Sequence, residues 1–293
     1  MSRETHLISS CIPPTIPELR REKDPVHIFL QFYIPSETFR RQEIQFCLKK
    51  HVENPDISTI YLLGECIYSN KELGIVSEKI RQVNLGHRLM YSDVFSYISD
   101  HLSELPGYHI LLNADIFLDS DAIKAVRKAP LPIQRSAYAL LRYEYVHATP
   151  AKSYLFGPRF DSQDTWIFHS HFPVFGTHMD HAAMSAFDFA LGRPGCDNRV
   201  AWLLENCGYE LFNDPMTVKT YHVHRSQKRS YNNKTDIVNG PWAGIIPCRI
   251  DPHKIHASLG IYSFVNETGK LVNFFDPNAL YPKTMGLKSW TIQ

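Results

Sequence analysis

Long hydrophobic runs are absent from this sequence. No apolar stretch among its 293 residues approaches the roughly 20 residues that a membrane-spanning helix requires. The N-terminal segment also lacks the charged and then apolar pattern of a secretory signal. We therefore expect no transmembrane segment and a cytoplasmic location.

An excess of charge of one sign is absent too. The 31 basic and 30 acidic residues nearly cancel, which argues against a nucleic-acid-binding protein, because such proteins carry a basic surplus. The six cysteines form no C-x-x-C pair, so neither a disulfide framework nor a zinc knot is expected. What the chain does contain is 44% hydrophobic residues, which is ordinary for a globular protein.

The N-terminal half alternates apolar runs with helical patterns. VHIFLQFYI at 26–34 and ISTIYLLG at 57–64 are continuous and β-prone, which is typical of strands covered on both faces. A segment with helical spacing of its apolar residues separates them. Two more such runs follow at 108–118 and 136–146. This order predicts an α/β fold with a mostly parallel sheet flanked by helices and an irregular part towards the C-terminus.

The chain shows no internal repeat and no low-complexity tract that would divide it. Residues 1–25 are polar and rich in proline, which predicts an extended N-terminal arm. We expect residues 26–293 to form a single domain.

The stretch HILLNADIFLDSD at 109–121 is an apolar run that ends in acids. Ligands bind beyond the carboxyl ends of strands in an open α/β sheet, and strand alternation would send Asn113 and Asp115 to the same side. Asp115 could then hold a hard divalent cation, which takes one or two carboxylates and completes its shell with phosphate oxygens and water. The alternative is that Asp115, Asp119 and Asp121 close the strand and cap the next helix.

A second motif, LGRPGCDNRVAWLLENCGY at 191–209, leads from a Gly/Pro-rich loop into an amphipathic helix that has Asp197 at its start. One interpretation is an N-cap, stabilised by about 1 kcal/mol of capping and dipole interaction. The other is a general base that the helix holds rigidly towards a ligand. The sequence leaves both interpretations open.

Histidines mark two later segments. In TYHVHRSQKR at 220–229, His222 and His224 share one face of a strand, so that an imidazole could bind a metal while the following Arg225, Lys228 and Arg229 bind anionic oxygens. HSHFPVFGTHMDH holds four further histidines. Their spacing matches no metal motif, so a metallohydrolase is only an alternative.

The segment DSQDTWIF at 161–168 places a carboxylate near an indole. If it is extended, Asp164 and Trp166 lie on one face, a combination that suits sugars because the carboxylate accepts from hydroxyls while the ring packs on the apolar sugar face. The alternative is a core tryptophan with an aspartate in a turn.

Taken in this order, the motifs resemble those of GT-A-type glycosyltransferases over roughly residues 26–226. NADIFLD stands in the place of the D-x-D motif of that fold, and GCDNRVAWLLENCGY is similar to the Gly-rich, acid-containing segment that opens a helix in many inverting members. YHVHRS lies where several members have a metal-binding histidine. The N-A-D-I, S-Q-D-x-W and G-C-D-N-R stretches are also similar to those of a group of viral and bacterial sugar transferases.

The resemblance implies a GT-A-like, Rossmann-like fold and a role for each matching residue. Asp115, with His224 or His222, would hold Mn²⁺ or Mg²⁺ on the diphosphate of a nucleotide sugar, although Asn113 replaces the first acid of D-x-D. Asp197 would take the proton of the acceptor hydroxyl. The other donor-site candidates are Gln31, Phe32, Tyr33, Arg88, Asp93 and Ala114, and the acceptor or sugar candidates are Asp164, Trp166, Cys196 and Asn198.

We therefore expect an inverting hexosyl- or pentosyltransferase that uses a UDP-sugar, or alternatively a GDP-sugar, and a glycan or glycoconjugate acceptor. Residues 26–146 would bind the nucleotide sugar, and residues 147–293 would bind the acceptor and carry out catalysis. One alternative is a sugar-nucleotide nucleotidyltransferase, against which the sequence shows no Gly-rich, Arg/Lys-bearing phosphate loop after its first strand. Another is a non-catalytic carbohydrate-binding module.

Overall fold

The computed structural model describes most of the chain between residues 24 and 247. The described residues are 24–129, 131–132, 135–157, 159–175, 181–224, 232, 235–245 and 247, together with the backbone of four short strands between residues 249 and 274. The predicted arm at 1–25 therefore lies almost wholly outside the described residues. Arg225, Lys228 and Arg229 lie outside them as well.

Strands and helices alternate along the described chain. The helices are α1 (Thr38–Glu53), α2 (Asn70–Leu73), α3 (Tyr91–Asp100), α4 (Ser120–Lys128), α5 (His181–Ser185) and α6 (Cys196–Asn206). The strands are β1 (Val26–Leu30), β2 (Thr59–Gly64), β3 (Ile80–Asn84), β4 (Tyr108–Leu112), β5 (Ile116–Leu118), β6 (Ser136–Leu140), β7 (Tyr143–Glu144), β8 (Tyr154–Leu155), β9 (Thr165–His169), β10 (Glu210–Phe212), β11 (Thr220–His222), β12 (Arg249–Ile250), β13 (Ala257–Ser258), β14 (Tyr262–Val265) and β15 (Leu271–Phe274). None of the described helices is long and apolar enough to cross a membrane.

Seven of the strands form the main sheet, in the order β10–β6–β9–β4–β1–β2–β3. The pairs β1–β2, β1–β4, β2–β3 and β6–β10 are parallel. Only β9 runs against its neighbours, antiparallel to both β4 and β6. The predicted α/β fold with a mostly parallel sheet flanked by helices is therefore confirmed.

Helices cover the main sheet on both faces. Ile28 of β1 belongs to the same buried cluster as Ile44 of α1 and Ile123 of α4. The next residue, Phe29, belongs to the cluster on the other face, which includes Val94 of α3 and part of α6. Since neither face of β1 meets water, both sets of alternating side chains are apolar, and the strand reads as an unbroken hydrophobic run.

A second sheet has the strand order β5–β11–β7–β8. Its strands β5 and β7 follow directly after β4 and β6 of the main sheet. The predicted single strand at 108–118 is wrong, because the chain leaves the main sheet after Leu112, turns at 113–115 and enters the second sheet as β5. The predicted strand at 136–146 likewise divides into β6 and β7, with Arg142 in the connection. Both halves of each run are largely buried, so the apolar pattern does not reveal the change of sheet.

We predict that Trp166→Ala lowers the free energy of unfolding by about 3–5 kcal/mol, the usual cost of deleting a large core aromatic side chain. The Trp166 side chain lies in β9 and is only 1% exposed. Denaturant unfolding measures the change. Phe39→Ala is the matched control, because Phe39 is 65% exposed, and a change in that variant as large as in Trp166→Ala would contradict the assignment of Trp166 to the core.

Candidate functional site

A polar cavity of about 600 Å³ opens where the two sheets meet. Gln31 and Tyr33, which follow β1, form one part of its wall, and Asn113, Ala114 and Asp115, which follow β4, form another. The cavity thus lies beyond the carboxyl ends of adjacent parallel strands, the usual ligand position in an open α/β sheet. The loop before α6 and the start of that helix face it from the opposite side.

The carboxylate of Asp115 is buried at one end of this cavity and has two cationic partners. Its Oδ2 atom accepts hydrogen bonds from Arg40 Nη2 at 2.6 Å and from His222 Nε2 at 3.1 Å. Burial alone would raise the pKa of Asp115, but the charges and hydrogen bonds of His222 and Arg40 outweigh it and hold that pKa well below its usual range. Asp115 is therefore ionised at any ordinary pH.

His222 lies between two carboxylates. Its Nε2 faces Asp115, and its Nδ1 donates to Glu144 Oε2 at 2.9 Å. Burial would lower the pKa of His222, but Asp115 and Glu144 outweigh the effect and raise the pKa to about 9. The imidazole therefore carries a positive charge near neutral pH.

Asp115, His222 and His224 form a possible metal-binding group. Each offers one ligand atom, and these atoms all lie within 4.8 Å of one another. Glu144 fits this use, because metal-ligating histidines commonly donate their second ring N–H to a carboxylate that fixes the orientation of the imidazole. A mixed set of nitrogen and oxygen ligands suits a transition-metal ion such as Mn²⁺ better than Mg²⁺, which prefers oxygen.

Hydrogen bonds extend from this group across the cavity wall. Arg142 donates through Nε to Glu144 Oε1 at 2.9 Å and through Nη1 to Asp164 Oδ2. The other oxygen of Asp164 accepts from Asn113 Nδ2 at 2.9 Å. Cations and carboxylates therefore alternate from Arg40 to Asp164, and each buried charge in the series has a partner of opposite sign.

Asp197 faces the cavity from the first turn of α6. The predicted N-cap interpretation is wrong, because Gly195 occupies the cap position in a left-handed conformation with φ 75° and the helix begins at Cys196. Asp197 Oδ1 instead accepts from Cys196 Sγ at 2.9 Å, and Oδ2 accepts from the backbone N–H of Gln163 at 3.3 Å. Burial, followed by the negative charge of Asp164, raises the pKa of Asp197 to about 7.

Most of the residues that the sequence indicated come together around this one cavity. The candidates that line it are Gln31, Tyr33, Arg88, Asn113, Ala114, Asp115, Asp164, Asp197, His222 and His224. They come from six separate parts of the chain, and their convergence is a property of the fold. Their individual roles stay predictions.

Two aromatic candidates lie in the core instead. Phe32 is buried against Tyr68, with ring centroids 5.1 Å apart, while its neighbours Gln31 and Tyr33 line the cavity. Trp166 packs in the cluster between the main sheet and its helices and is not part of the cavity wall. The extended segment does not place Trp166 beside Asp164, because the strand begins only at Thr165. The predicted carboxylate–indole pair is therefore not formed.

Three polar candidates also have structural contacts outside the cavity wall. Asp93 accepts from the backbone N–H of Met90 at 2.8 Å and so caps α3. The Cys196 thiol is buried beneath Asp197. Asn198 Nδ2 donates to the backbone oxygen of Ala243 at 3.0 Å and anchors the segment that passes α6.

Sequence reasoning missed several charged residues of the cavity wall. Arg40 and Arg142 take part in the hydrogen-bonded series, and Arg159 and Asp161 form a two-bond ion pair. Glu144, which was also missed, belongs to the series but does not line the cavity. The alternation in RYE at 142–144 is a signal that two of these side chains share a face. Arg40 gives no such signal, because α1 carries several other charged side chains and nothing in its local sequence distinguishes Arg40 from them.

The histidine-rich segment begins at the other end of the main sheet. His169 pairs with Tyr108 at the start of β4, whereas the cavity lies beyond the end of that strand. His171 Nδ1 is within 3.0 Å of the backbone oxygen of Pro132, and His178 falls outside the described residues. Within the part of the chain that the structure describes, Asp115, His222 and His224 are the one group arranged to hold a metal.

No protein-family model matches the chain, and no curated protein matches it in sequence. Its fold is similar to 4-diphosphocytidyl-2C-methyl-D-erythritol synthase from Anaerococcus prevotii, at 12% identity and a TM-score of 0.39 over 69% of this chain and 91% of the other. It is also similar to GalNAc-T7 with UDP, GalNAc and Mn²⁺, at 9% identity and a TM-score of 0.43 over 71% and 45% of the two chains. The mannosyltransferase PcManGT from Pyrobaculum calidifontis, in complex with GDP-Man and Mn²⁺, gives 12% identity and a TM-score of 0.40 over 71% and 59%. Likenesses of this degree assign neither a family nor an activity.

We predict that Asp197→Asn raises the free energy of unfolding at pH 8 by roughly 1–3 kcal/mol. Folding raises the pKa of Asp197 above its ordinary value, so wild-type stability falls as the pH rises from about 4 to about 7, and a neutral amide avoids this loss. Denaturant unfolding at a series of pH values measures the difference. The gain should vanish below pH 4, and equal stability of the two proteins at pH 8 would contradict the raised pKa.

Proposed function

We propose that the protein is a glycosyltransferase that moves a sugar from a nucleotide-diphosphate sugar to a hydroxyl group, with inversion at the anomeric carbon. The observation that carries the proposal is the division of one cavity into two chemically different ends. Asp115, His222 and His224 form an end that suits a cation, and Asp197 forms an end that suits proton transfer. Sugar transfer requires both at once, because a diphosphate leaves while a hydroxyl group attacks.

The cation-binding end would receive the diphosphate. Asp115 would bind Mn²⁺ with one or both of His222 and His224, and Glu144 would keep His222 oriented. His222 would have to give up its Nε2 proton to act as a ligand, because only a neutral imidazole binds a metal ion. The ion, when bound, would offset the negative charge that builds on the departing diphosphate. Gln31 and Tyr33 lie on the wall beyond β1, where they would contact the base of the nucleotide.

The opposite end would activate the acceptor. Asp197 would take the proton of the acceptor hydroxyl while that oxygen attacks the anomeric carbon, and the bond from this carbon to the diphosphate would break with its electron pair going to the diphosphate. A pKa near neutrality suits a general base. Its two hydrogen bonds, from Cys196 and from the backbone of Gln163, fix the direction of the carboxylate before the substrate arrives.

Asp164 would assist in two ways. Arg142 and Asn113 occupy one lone pair on each of its oxygens, so it is held in the cavity wall, where a sugar hydroxyl could donate to it. Its negative charge also helps to raise the pKa of Asp197. Phe156 lines the same wall, but the guanidinium groups of Arg142 and Arg159 lie over its ring, 4.1 and 4.6 Å from the ring centroid.

The second candidate function is that of a nucleotidyltransferase, and the position of Arg40 favours it. Arg40 of α1 brings a guanidinium to the cavity shortly after β1, so the lack of a basic loop at that point does not mean a lack of positive charge. The two enzymes differ in their products. A glycosyltransferase releases a nucleoside diphosphate, and a nucleotidyltransferase releases pyrophosphate.

We predict that one nucleoside diphosphate raises the melting temperature of the protein in the presence of Mn²⁺, and we expect this nucleotide to be UDP. A ligand that binds only the folded state stabilises it by mass action. A thermal-shift panel of UDP, GDP, CDP and their sugars, each with and without Mn²⁺, measures the effect. The shift should disappear in Asp115→Ala and persist in Asp119→Ala, a matched aspartate that caps α4.

Three other outcomes of this panel would change the proposal. A shift that does not need Mn²⁺ would keep the donor site and remove the metal from it. A shift with sugars alone would favour a carbohydrate-binding module. A lack of any shift with nucleotides would contradict the transferase.

We predict that kcat/KM for sugar transfer rises about tenfold per pH unit up to about pH 7 and then levels off, since Asp197 must be deprotonated to act as the base. Asp197→Asn should lower the rate by about 10²–10⁴-fold. Release of the nucleoside diphosphate at pH 5.5–8.5 measures the profile. A base with the ordinary pKa of an aspartate would give a flat profile over this range. A flat profile would therefore contradict the assignment of Asp197 as a base with a raised pKa.

A further inference from the structure

The group of residues proposed to bind a metal already holds a cation that belongs to the protein. Arg40 Nη2 donates to Asp115 Oδ2 at 2.6 Å, and Arg40 Nη1 lies 3.0 Å from His224 Nδ1. Because arginine has only donor atoms, the Nδ1 atom of His224 must present its lone pair to the guanidinium. A carboxylate oxygen and an imidazole lone pair are also what a metal ion would use.

The guanidinium and a divalent ion cannot both bind Asp115 Oδ2 and His224 Nδ1 at the same time. Arg40 keeps its positive charge at any relevant pH, and two cations that share a buried carboxylate repel each other strongly at such short range. Asp115 Oδ2 already accepts from His222 as well, so a divalent ion added beside Arg40 would be a third positive charge on one carboxylate. Occupation by one cation requires removal of the other.

Arg40 has two further partners in addition to Asp115 and His224. Its Nη1 atom also donates to Glu43 Oε2 at 3.2 Å, and its Nη2 lies 3.5 Å from the hydroxyl of Tyr33. Glu43 is buried one helical turn further along α1. A guanidinium that leaves Asp115 therefore keeps a paired charge, and it stays beside Tyr33 on the cavity wall.

We propose that Arg40 is an internal cation that competes with the metal ion for Asp115 and His224. This inference rests on the metal site of the proposed function. In the metal-free protein, the guanidinium neutralises Asp115 and lowers the apparent affinity for the ion. After displacement, its charge remains at the cavity wall, where a diphosphate would meet it together with the metal. Metal and nucleoside diphosphate should therefore strengthen each other's binding.

The test compares the binding of Mn²⁺ alone to the wild type, Arg40→Met and Arg40→Lys, by the loss of the free-ion signal in electron paramagnetic resonance. Arg40→Met should bind Mn²⁺ about tenfold more tightly, as expected if the guanidinium blocks the site in about nine-tenths of the molecules. Arg40→Lys keeps the charge but cannot bridge two ligands, so it should fall between the other two. Arg41→Met is the matched control and should bind as the wild type does, because Arg41 is not part of the cavity wall.

Stability gives a second readout of the same competition. Arg40→Met removes a partner of the buried Asp115 and should lower the melting temperature without metal. Mn²⁺ should then raise that temperature more in Arg40→Met than in the wild type. An equal rise in both proteins would count against competition.

The remaining outcomes separate this inference from the proposed function. Mn²⁺ affinity that is unchanged or weaker in Arg40→Met would overturn the competition and leave the metal site intact. Wild-type affinity in Arg40→Lys, with tighter binding in Arg40→Met, would show an effect of charge alone and would also overturn it. A lack of Mn²⁺ binding in every variant would remove the metal site itself.

Discussion

Asp115 carries a negative charge into a position that is almost wholly buried, where an unpaired carboxylate would cost several kcal/mol. Its partners come from distant parts of the chain, Arg40 from the helix after the first strand and His222 from a strand of the second sheet. The ion pairs of Asp115 therefore hold α1 and β11 against the turn between β4 and β5. These three elements form part of the cavity wall, so the need to compensate one buried charge fixes their positions around the cavity.

The change of sheet gives that turn its position. Because β4 ends at Leu112 and β5 begins at Ile116 in a different sheet, the three residues between them line the cavity that opens where the sheets part. The change of sheet between β6 and β7 likewise brings Arg142 to this space. Without the change of sheet after β4, Asn113 and Asp115 would lie in a continuous buried strand.

Two carboxylates of the cavity have opposite electrostatic surroundings. Asp115 has cationic partners and a pKa held well below its usual range. Asp197 has a thiol and one backbone N–H as partners, together with a nearby carboxylate, and its pKa rises to about 7. Groups whose surroundings drive their pKa values apart in this way mark different chemical tasks, one as a permanent anion and the other as a proton acceptor.

The sequence predicts the parallel sheet and ten of the residues that line the cavity, because both depend on local patterns. Apolar runs mark β1, β2 and β4, and Asp115 stands at the end of such a run. Contacts between distant residues leave no local trace, and the pairs Arg40–Asp115 and His222–Glu144 join residues 75 and 78 positions apart. Both faces of β9 are buried, with Ile167 in one cluster and Trp166 in the other, so Trp166 lies in the core whichever face it occupies.

A crystal structure with Mn²⁺ and UDP, with anomalous diffraction recorded near the manganese absorption edge, would show whether Asp115 holds a metal ion against a diphosphate. We expect one anomalous peak at bonding distance from Asp115 and from His222 or His224, in contact with the diphosphate, with Arg40 moved off Asp115. A diphosphate bound in the cavity without an anomalous peak, and with Arg40 still paired to Asp115, would contradict this expectation.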